Sequence, residues 1–183
     1  VIGSFTDSLA VQPPEFNPTF IFKIKTDEDV SDDFWRTSNL FVLSEEPDGV
    51  VVLFSPDQLA EFRNRVTAYG GTIPEGQKGP SYAWIASLAE EMELWGRENR
   101  IGRKLRNTEI DPNIDYYLDV ELWVYGLEDE KRGRIASLEK FVINHGGRIT
   151  DRYIGDNLFL ARVKVTGAVL DQMLEIGDIR EID

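Results

Sequence analysis

The sequence predicts an α+β protein of two small antiparallel-sheet subdomains, the second with the ferredoxin-like βαββαβ order. Two observations carry this prediction. Segments in which apolar and polar residues alternate, as they do in strands, stand between segments with apolar residues at helical spacing. Glycine and proline separate them, as they do at turns. We divide the 183-residue chain into a linker over 1–17, an N-terminal α+β subdomain with a helical connector over 18–115, and a βαββαβ domain over 116–183.

The first elements of the chain read as strand, short helix and hairpin. "FIFKIK" (Phe20 to Lys25) alternates apolar and polar residues, and Ser31 is placed to cap a short helix in the acidic stretch that follows. Two apolar runs then flank "PDG" at 47–49. This is a hairpin signal, because proline presets φ and glycine accepts positive φ.

Two helices and a connector are predicted next. Ser55 is placed to cap a helix that carries Leu59 and Phe62 and ends at Gly70-Gly71. The segment 81–99 is predicted to be helical, with Met92 and Trp95 on its apolar stripe. Residues 101–115 lack periodicity and contain a proline, so they read as a connector between subdomains.

The second half shows the βαββαβ order more clearly. Apolar residues alternate from Tyr116 to Gly126, and an amphipathic helix is predicted from Glu128 to His145. Two strands follow, joined at 155–157. Thr166 caps a short helix, and Ile179 and Ile182 lie in a final strand. An antiparallel sheet with two helices on one face accounts for this order.

Composition argues against several classes of partner. The chain has 20 Lys and Arg against 33 Asp and Glu, a net charge of −13, so phosphate backbones and anionic lipid surfaces repel it. It has no cysteine, which excludes thiolate metal sites and suits a cytoplasmic protein. We expect no nucleic acid, membrane or cofactor partner. Because position 1 is Val and the first 17 residues resemble a linker, we expect a piece of a longer protein.

Few residues in the sequence indicate a catalytic, metal-binding or nucleic-acid-binding site. His145, the one histidine, lies at the end of a helix, where packing or capping explains its presence. A catalytic triad would also need a serine and an acid beside this ring. "DEDVSDD" (Asp27 to Asp33) lacks the glycine and glutamate of a calcium loop. An RNA-binding module of this topology would show a second aromatic beside Phe159. A small-molecule regulatory domain of the same topology stays open.

A weak internal similarity suggests a tandem of related units. "EFRNRVTAYGGTI" and "LEKFVINHGGRIT" both run from an apolar helix into Gly-Gly and then to an isoleucine. Ordinary helix ends explain this as well as duplication does, so both explanations stand.

One stretch resembles a known family. "LEKFVINHGGRITDRYIGDNLFLARVKVTGAVLDQMLEIGDIREID" is similar to the propeptide domain of subtilisin-like serine peptidases: a helix ending in Gly-Gly, a turn with Gly155, an apolar strand, a Leu- and Met-rich helix and a terminal strand. The larger region resembles the part that precedes the catalytic domain in a bacterial group of these peptidases, some of which lie among anti-phage defence genes.

The resemblance implies a non-catalytic prodomain, because the family's catalytic Asp, His and Ser have no place in this chain. Such a domain acts as intramolecular chaperone and inhibitor of its own peptidase domain. Its terminal strand adds to a sheet edge in the substrate cleft. The residues that it assigns to this cleft-bound tail are Ile179, Arg180, Glu181, Ile182 and Asp183. It also implies that Asp151 and Asp156 contact helix N-termini on the peptidase. A stand-alone regulatory or interaction module that senses a ligand or a protein partner is the alternative.

Overall fold

The computed structural model describes residues 13–16, 19–26, 30–57, 59–62, 64 and 92–183. The chain divides into two compact units. The N-terminal unit comprises Thr19–Leu94, and the C-terminal unit comprises Trp95–Asp183 together with Ile2–Pro18. The boundary therefore lies about twenty residues earlier than the sequence predicted, because the expected connector belongs to the C-terminal unit.

The N-terminal unit is a four-stranded antiparallel sheet. Its elements are β1 (Phe20–Lys25), α1 (Asp32–Thr37), β2 (Phe41–Glu46), β3 (Val50–Ser55) and β4 (Met92–Leu94). The strand order is β2-β3-β1-β4. The predicted hairpin turn is present, with Asp48 and Gly49 both at positive φ, 64° and 73°. A side chain at position 49 would collide with the carbonyl oxygen of Thr26, 2.5 Å from where a Cβ would stand.

Two sequence predictions in this unit differ from the structure. Met92 lies in strand β4, paired with Ile24 of β1, and not in a helix. The rest of the predicted helix up to residue 91 lies outside the described residues, as does the Gly70-Gly71 helix end. The helix predicted to begin at Ser55 begins at residue 60, because Ser55 is the last residue of β3 and its hydroxyl instead accepts the N–H of Leu59 at 2.7 Å.

The C-terminal unit is a second four-stranded antiparallel sheet, preceded by a short helix. Its elements are α2 (Arg97–Arg100), β5 (Asp115–Leu122), α3 (Glu128–Asn144), β6 (Arg148–Ile154), β7 (Phe159–Thr166), α4 (Gly167–Met173) and β8 (Ile179–Ile182). The strand order is β6-β7-β5-β8, with every neighbouring pair antiparallel. This is the ferredoxin-like arrangement, and it confirms the predicted fold class.

One face of the second sheet forms the core with α3 and α4. Leu118, Val120 and Leu122 of β5 point into it, whereas the residues between them do not. From the helices, the core takes Leu138, Phe141, Val142, Val169, Leu170 and Met173. This burial explains the apolar alternation in the strands and the 3.6-residue spacing in the helices.

Both units use the same strand order, so the fold is a tandem. Numbered within its own unit, each sheet runs 2-3-1-4. The sequence similarity that suggested a tandem nevertheless joins elements that are not equivalent. The helical residues at 60–62 follow the third strand of their unit, whereas Glu128–Asn144 follows the first strand of its own.

Part of the predicted linker belongs to the core of the C-terminal unit. Phe16 is 6% exposed and its ring meets that of Phe141 edge-on, with 6.0 Å between ring centroids. The amide of Asn144 donates to Glu15 at 3.3 Å. The segment 13–16 therefore packs against α3, although it precedes the whole N-terminal unit in the chain.

Candidate binding groove

The predicted cleft-bound tail forms the edge strand β8 of the second sheet and the residue that follows it. Ile179 and Ile182 are fully buried on the core face of β8. Arg180 donates to Glu121 at 2.7 Å, and Glu181 pairs in register with the same residue. Asp183 exchanges two backbone hydrogen bonds with Asp119, both 2.9 Å.

The outer edge of β8 is covered at Ile182 by a segment of the same unit. We call residues 95–104 the clasp. Ile101 forms a parallel bridge with Ile182, and Gly102 donates its N–H to the carbonyl of Ile182 at 2.8 Å. Lys104 holds the Asp183 carboxylate through its N–H at 2.7 Å and its Nζ at 2.9 Å. These two hydrogen bonds lower the pKa of Asp183.

Arg100 anchors the clasp from within. Its side chain is buried and donates to the carbonyls of Leu174 at 2.7 Å and Trp95 at 2.6 Å. Burial lowers the pKa of Arg100 to about 10, with Glu175 and Asp178 opposing that shift. The guanidinium therefore stays charged at neutral pH, and its hydrogen bonds to backbone carbonyls stabilise that charge.

The open face of the second sheet carries basic residues that are already paired with acids. Arg162 donates to both oxygens of Asp119 at 2.8 and 2.9 Å. Lys164 pairs with Asp115 at 2.5 Å, and Arg180 pairs with Glu121 as described above. Because these cations already have carboxylate partners, this face is poorly suited to binding phosphates.

His145 has the structural role that the sequence favoured. It is the C-terminal cap residue of α3. Its Nδ1 lies 2.8 Å from the carbonyl oxygen of Phe141, and its ring stacks at a tilt on that of Phe141. Among the described residues, no cluster of three or more His, Asp and Glu side chains could hold a metal ion. Part of the acidic stretch considered for calcium, 27–29, lies outside them.

A groove runs between helix α3 and strand β6, and among the residues that the structure describes it is the best candidate for a binding site. It consists of two hollows, of about 380 and about 530 Å³, which share Glu139. Seven apolar residues line the first hollow: Leu122, Trp123, Val124, Ile135, Ala136, Ile154 and Phe159. The second lies between Ile143 on the helix and residues 148–152 on the strand.

Two isoleucines in this groove are unusually exposed. Ile143 is 65% exposed and Ile154 is 57% exposed. Single exposed apolar residues are common, but two that line adjoining hollows form a surface that a partner can cover. Tyr153, next to Ile154 on β6, is also largely exposed.

The groove is much less acidic than the chain as a whole. Its five basic residues are Lys131, Arg132, Arg134, Arg148 and Arg152, and its four acidic residues are Glu128, Glu139, Asp151 and Asp156. Lys131 pairs with Glu128 at 3.0 Å, and Arg152 pairs with Glu139 across the groove. Arg132 and Arg148 form no ion pair within the described part of the chain. They are therefore available to carboxylates of a partner.

The two candidate aspartates both line the groove. Asp151 lies on β6, exposed, and its carboxylate accepts the N–H of Arg152 at 2.8 Å. Asp156 lies in the turn between β6 and β7, also exposed. The structure places both at the same groove and away from β8, so it does not bring the two sets of predicted site residues together.

Sequence reasoning missed the rest of the groove. Arg132 and Arg148 read as ordinary surface charges, and Ile143 read as one more apolar residue of an amphipathic helix. Spacing in "RITDRYI" puts Ile149 and Ile154 on opposite faces of a regular strand. The bulge between Ile149 and Asp151, which the sequence does not show, instead places both opposite the core-facing Val163 and Phe159 of β7.

The described residues contain no helix long and apolar enough to cross a membrane.

Two family models together match nearly the whole chain. The model described as the Y4kK N-terminal domain matches residues 4–96, and the model described as the Y4kK central domain matches residues 99–183. "Uncharacterized protein y4kK" of Sinorhizobium fredii (strain NBRC 101917 / NGR234) is 28% identical over 178 residues, which cover 93% of this chain and 57% of that relative. No solved structure matches the chain significantly.

These matches overturn the resemblance to subtilisin-like peptidase propeptides. Both models and the relative are Y4kK, and none of them points to a subtilisin propeptide. The resemblance was wrong because its motifs, a helix ending in Gly-Gly, a glycine turn and a terminal strand, are features that many βαββαβ sheets share. The junction of the two models, between residues 96 and 99, lies close to the boundary that the structure shows at Leu94 and Trp95. The chain belongs to the Y4kK family and spans its N-terminal and central domains.

Proposed function

We propose that this chain is a non-catalytic interaction region of a longer, cytoplasmic bacterial protein, and that its C-terminal unit binds a protein partner in the α3–β6 groove. The groove itself is the observation that carries this proposal. It combines an apolar floor, the exposed Ile143 and Ile154, and the cations Arg132 and Arg148, which form no ion pair with any residue that the structure describes. Apolar contact supplies affinity at such a surface, and the charges supply orientation.

A non-catalytic role is supported by how the perturbed ionisable groups are used. Arg100, whose pKa burial lowers to about 10, donates to two backbone carbonyls. The pKa of Asp119 and that of Asp183 are lowered by Arg162 and Lys104, in ion pairs that join neighbouring segments. These groups hold the fold together.

We propose the remainder of the parent protein as the partner. The alignment with the Sinorhizobium relative leaves 43% of that relative unmatched (100 − 57), and one of the matching models is described as a central domain. An interaction region linked to its partner binds at high effective concentration, so a modest groove suffices.

The experiment is a binding measurement between this chain and the remaining region of its parent protein, produced separately. The double variant Ile143→Ser, Ile154→Ser should weaken binding by about tenfold or more, because two exposed apolar side chains lose their contacts. Ile114→Ser is the matched control, since Ile114 is 52% exposed and does not line the groove. Binding that is absent, or equal for all three proteins, would contradict the proposal.

A small-molecule sensor is the second candidate, and the first hollow favours it. Its volume of about 380 Å³ is suited to a metabolite, since ligand pockets range over roughly 300–1,000 Å³. Ala136 lines this hollow, so Ala136→Phe should fill it. A metabolite that raises the melting temperature of the wild-type chain but not of this variant would favour the sensor.

A further inference from the structure

The two edges of the second sheet differ in a way that bears on what binds there. The β8 edge is covered by the clasp at Ile182. Strand β6, at the opposite edge, pairs only with β7 within the described residues. Six of its seven residues are exposed, and the other is half-buried. Its outer backbone groups therefore form a row of donors and acceptors that a further strand can pair with.

The groove lies along this same edge. Residues 148–152 are consecutive on β6 and all line the second hollow, together with Glu139 and Ile143 of the helix. A strand placed beside β6 would thus run along α3, and its side chains would reach Ile143. Arg148 is the first residue of β6, and Arg132 lies on the helix at the first hollow. Each hollow therefore holds a cation that has no ion-pair partner in the described ranges.

We propose that an extended, acidic segment of the partner pairs with the outer edge of β6 as a fifth strand. This inference rests on the proposed function and names the form that the partner takes. Main-chain hydrogen bonds to β6 supply a sequence-independent part of the affinity. Carboxylates on the segment pair with Arg132 and Arg148, and its apolar side chains cover Ile143 and Ile154. Seven residues of β6 span about 23 Å, which sets the length of the segment.

A second copy of the chain fits this edge less well. A two-fold antiparallel pairing of β6 with itself places Asp151 opposite Asp151 when it is centred there, and Arg152 opposite Arg152 when it is centred one residue later. Like charges directly opposite each other destabilise a strand pair. A segment with its own acidic pattern avoids this repulsion.

The probe is a synthetic seven-residue peptide, blocked at both ends, in which Glu and Val alternate. Two comparison peptides carry Lys in place of Glu, or N-methyl groups on alternate amides. Amide NMR shifts of the full chain report binding. We expect shifts at β6 and α3 with the Glu peptide, and binding weaker by about fivefold or more with each comparison peptide, through charge repulsion or lost main-chain hydrogen bonds.

Charge-reversal variants complete the test. Arg132→Glu and Arg148→Glu should each weaken binding of the Glu peptide by about threefold or more. Arg106→Glu, an exposed arginine that does not line the groove, should leave it unchanged. No shift at β6, equal binding of the N-methylated peptide, or self-association of the chain through β6 would each overturn the inference.

The two proposals can fail separately. Amide hydrogen exchange of the chain bound to the remainder of its parent protein should show slower exchange at β6. If that complex forms, depends on Ile143 and Ile154, and leaves β6 exchange unchanged, strand addition is wrong and the interaction role stands. If no complex forms while the peptide results hold, the choice of partner is wrong and strand addition stands.

Discussion

The Asp119 carboxyl group is held ionised by a guanidinium on the neighbouring strand. The hydrogen bonds from Arg162 lower the pKa of Asp119 below its usual 3.8, and partial burial opposes this effect. Because the folded-state pKa is the lower one, the pair contributes its full stability above the unfolded-state pKa. That contribution disappears as the pH falls through the folded-state pKa.

Replacing Asp119 with Asn should therefore lower the free energy of unfolding at pH 7 by roughly 0.2–1 kcal/mol, the range for exposed ion pairs. The difference from the wild-type chain should shrink as the pH falls below the usual pKa of 3.8 and then through the lowered pKa of the folded-state Asp119 carboxyl. Urea denaturation across pH 7 to 3 measures it. Glu109→Gln is the control, since Glu109 is an exposed acid in a loop. A difference that stays constant with pH would show that the ion pair is not its cause.

At the scale of elements, sequence patterns predicted those strands and helices whose apolar periodicity records a buried face. Five of the buried residues of β5 and β7 are examples: Leu118, Val120, Ala161, Val163 and Val165. Strand β4 escaped prediction because its three residues are too few to show a period. Its burial comes from pairing with β1, which is distant in sequence.

The clasp and the groove escaped prediction for a related reason. The clasp joins segments far apart in the chain, and the groove forms between α3 and β6, which are consecutive elements without a local pattern that indicates how they pack. Gly102 illustrates this. Its glycine identity is explained by residues 182 and 183, since a Cβ at position 102 would lie 2.7 Å from both the carbonyl oxygen of Ile182 and the Cβ of Asp183. In the same way, Arg132 and Arg148 come to line one groove only when α3 packs beside β6.

Gly102 and Gly133 provide a matched pair of substitutions. Gly102→Ala should lower the free energy of unfolding by about 1–3 kcal/mol, because the added methyl group pushes the clasp away from β8. Gly133→Ala should raise it by about 0.5–1 kcal/mol, since Gly133 lies inside α3 with open space where a methyl group would go. Chemical denaturation of both variants measures this. A stabilising Gly102→Ala would mean that the clasp does not pack on β8 as described.

At the scale of the whole molecule, the chain forms its two units out of sequence order. The segment 13–16 belongs to the C-terminal unit, and the N-terminal unit follows it before the chain returns at Trp95. The N-terminal unit is thus an insertion between two parts of the other. A truncation that begins at the apparent domain boundary would remove Phe16 from the core that it helps to fill.

Phe16→Ala should consequently lower the free energy of unfolding of the C-terminal unit by about 3 kcal/mol, through the loss of a buried aromatic ring. The N-terminal unit should keep its stability. Hydrogen exchange resolved by segment measures both units in one experiment, with faster exchange expected at α3 and unchanged exchange at β1 and β3. Pro14→Ala is the control in the same segment, because Pro14 is exposed. Equal acceleration in both units would contradict the assignment of Phe16.

This arrangement also sets an order of events during synthesis. Phe16 leaves the ribosome about 125 residues before Phe141, the ring that it packs against. At a synthesis rate of roughly 5–20 residues per second, about 6–25 s pass between the emergence of Phe16 and that of Phe141. The N-terminal unit has all of its strands by Leu94 and can fold within that interval, whereas the other unit needs β8 to complete its sheet. The newly made chain can therefore hold a folded N-terminal unit while Phe16 is still unburied.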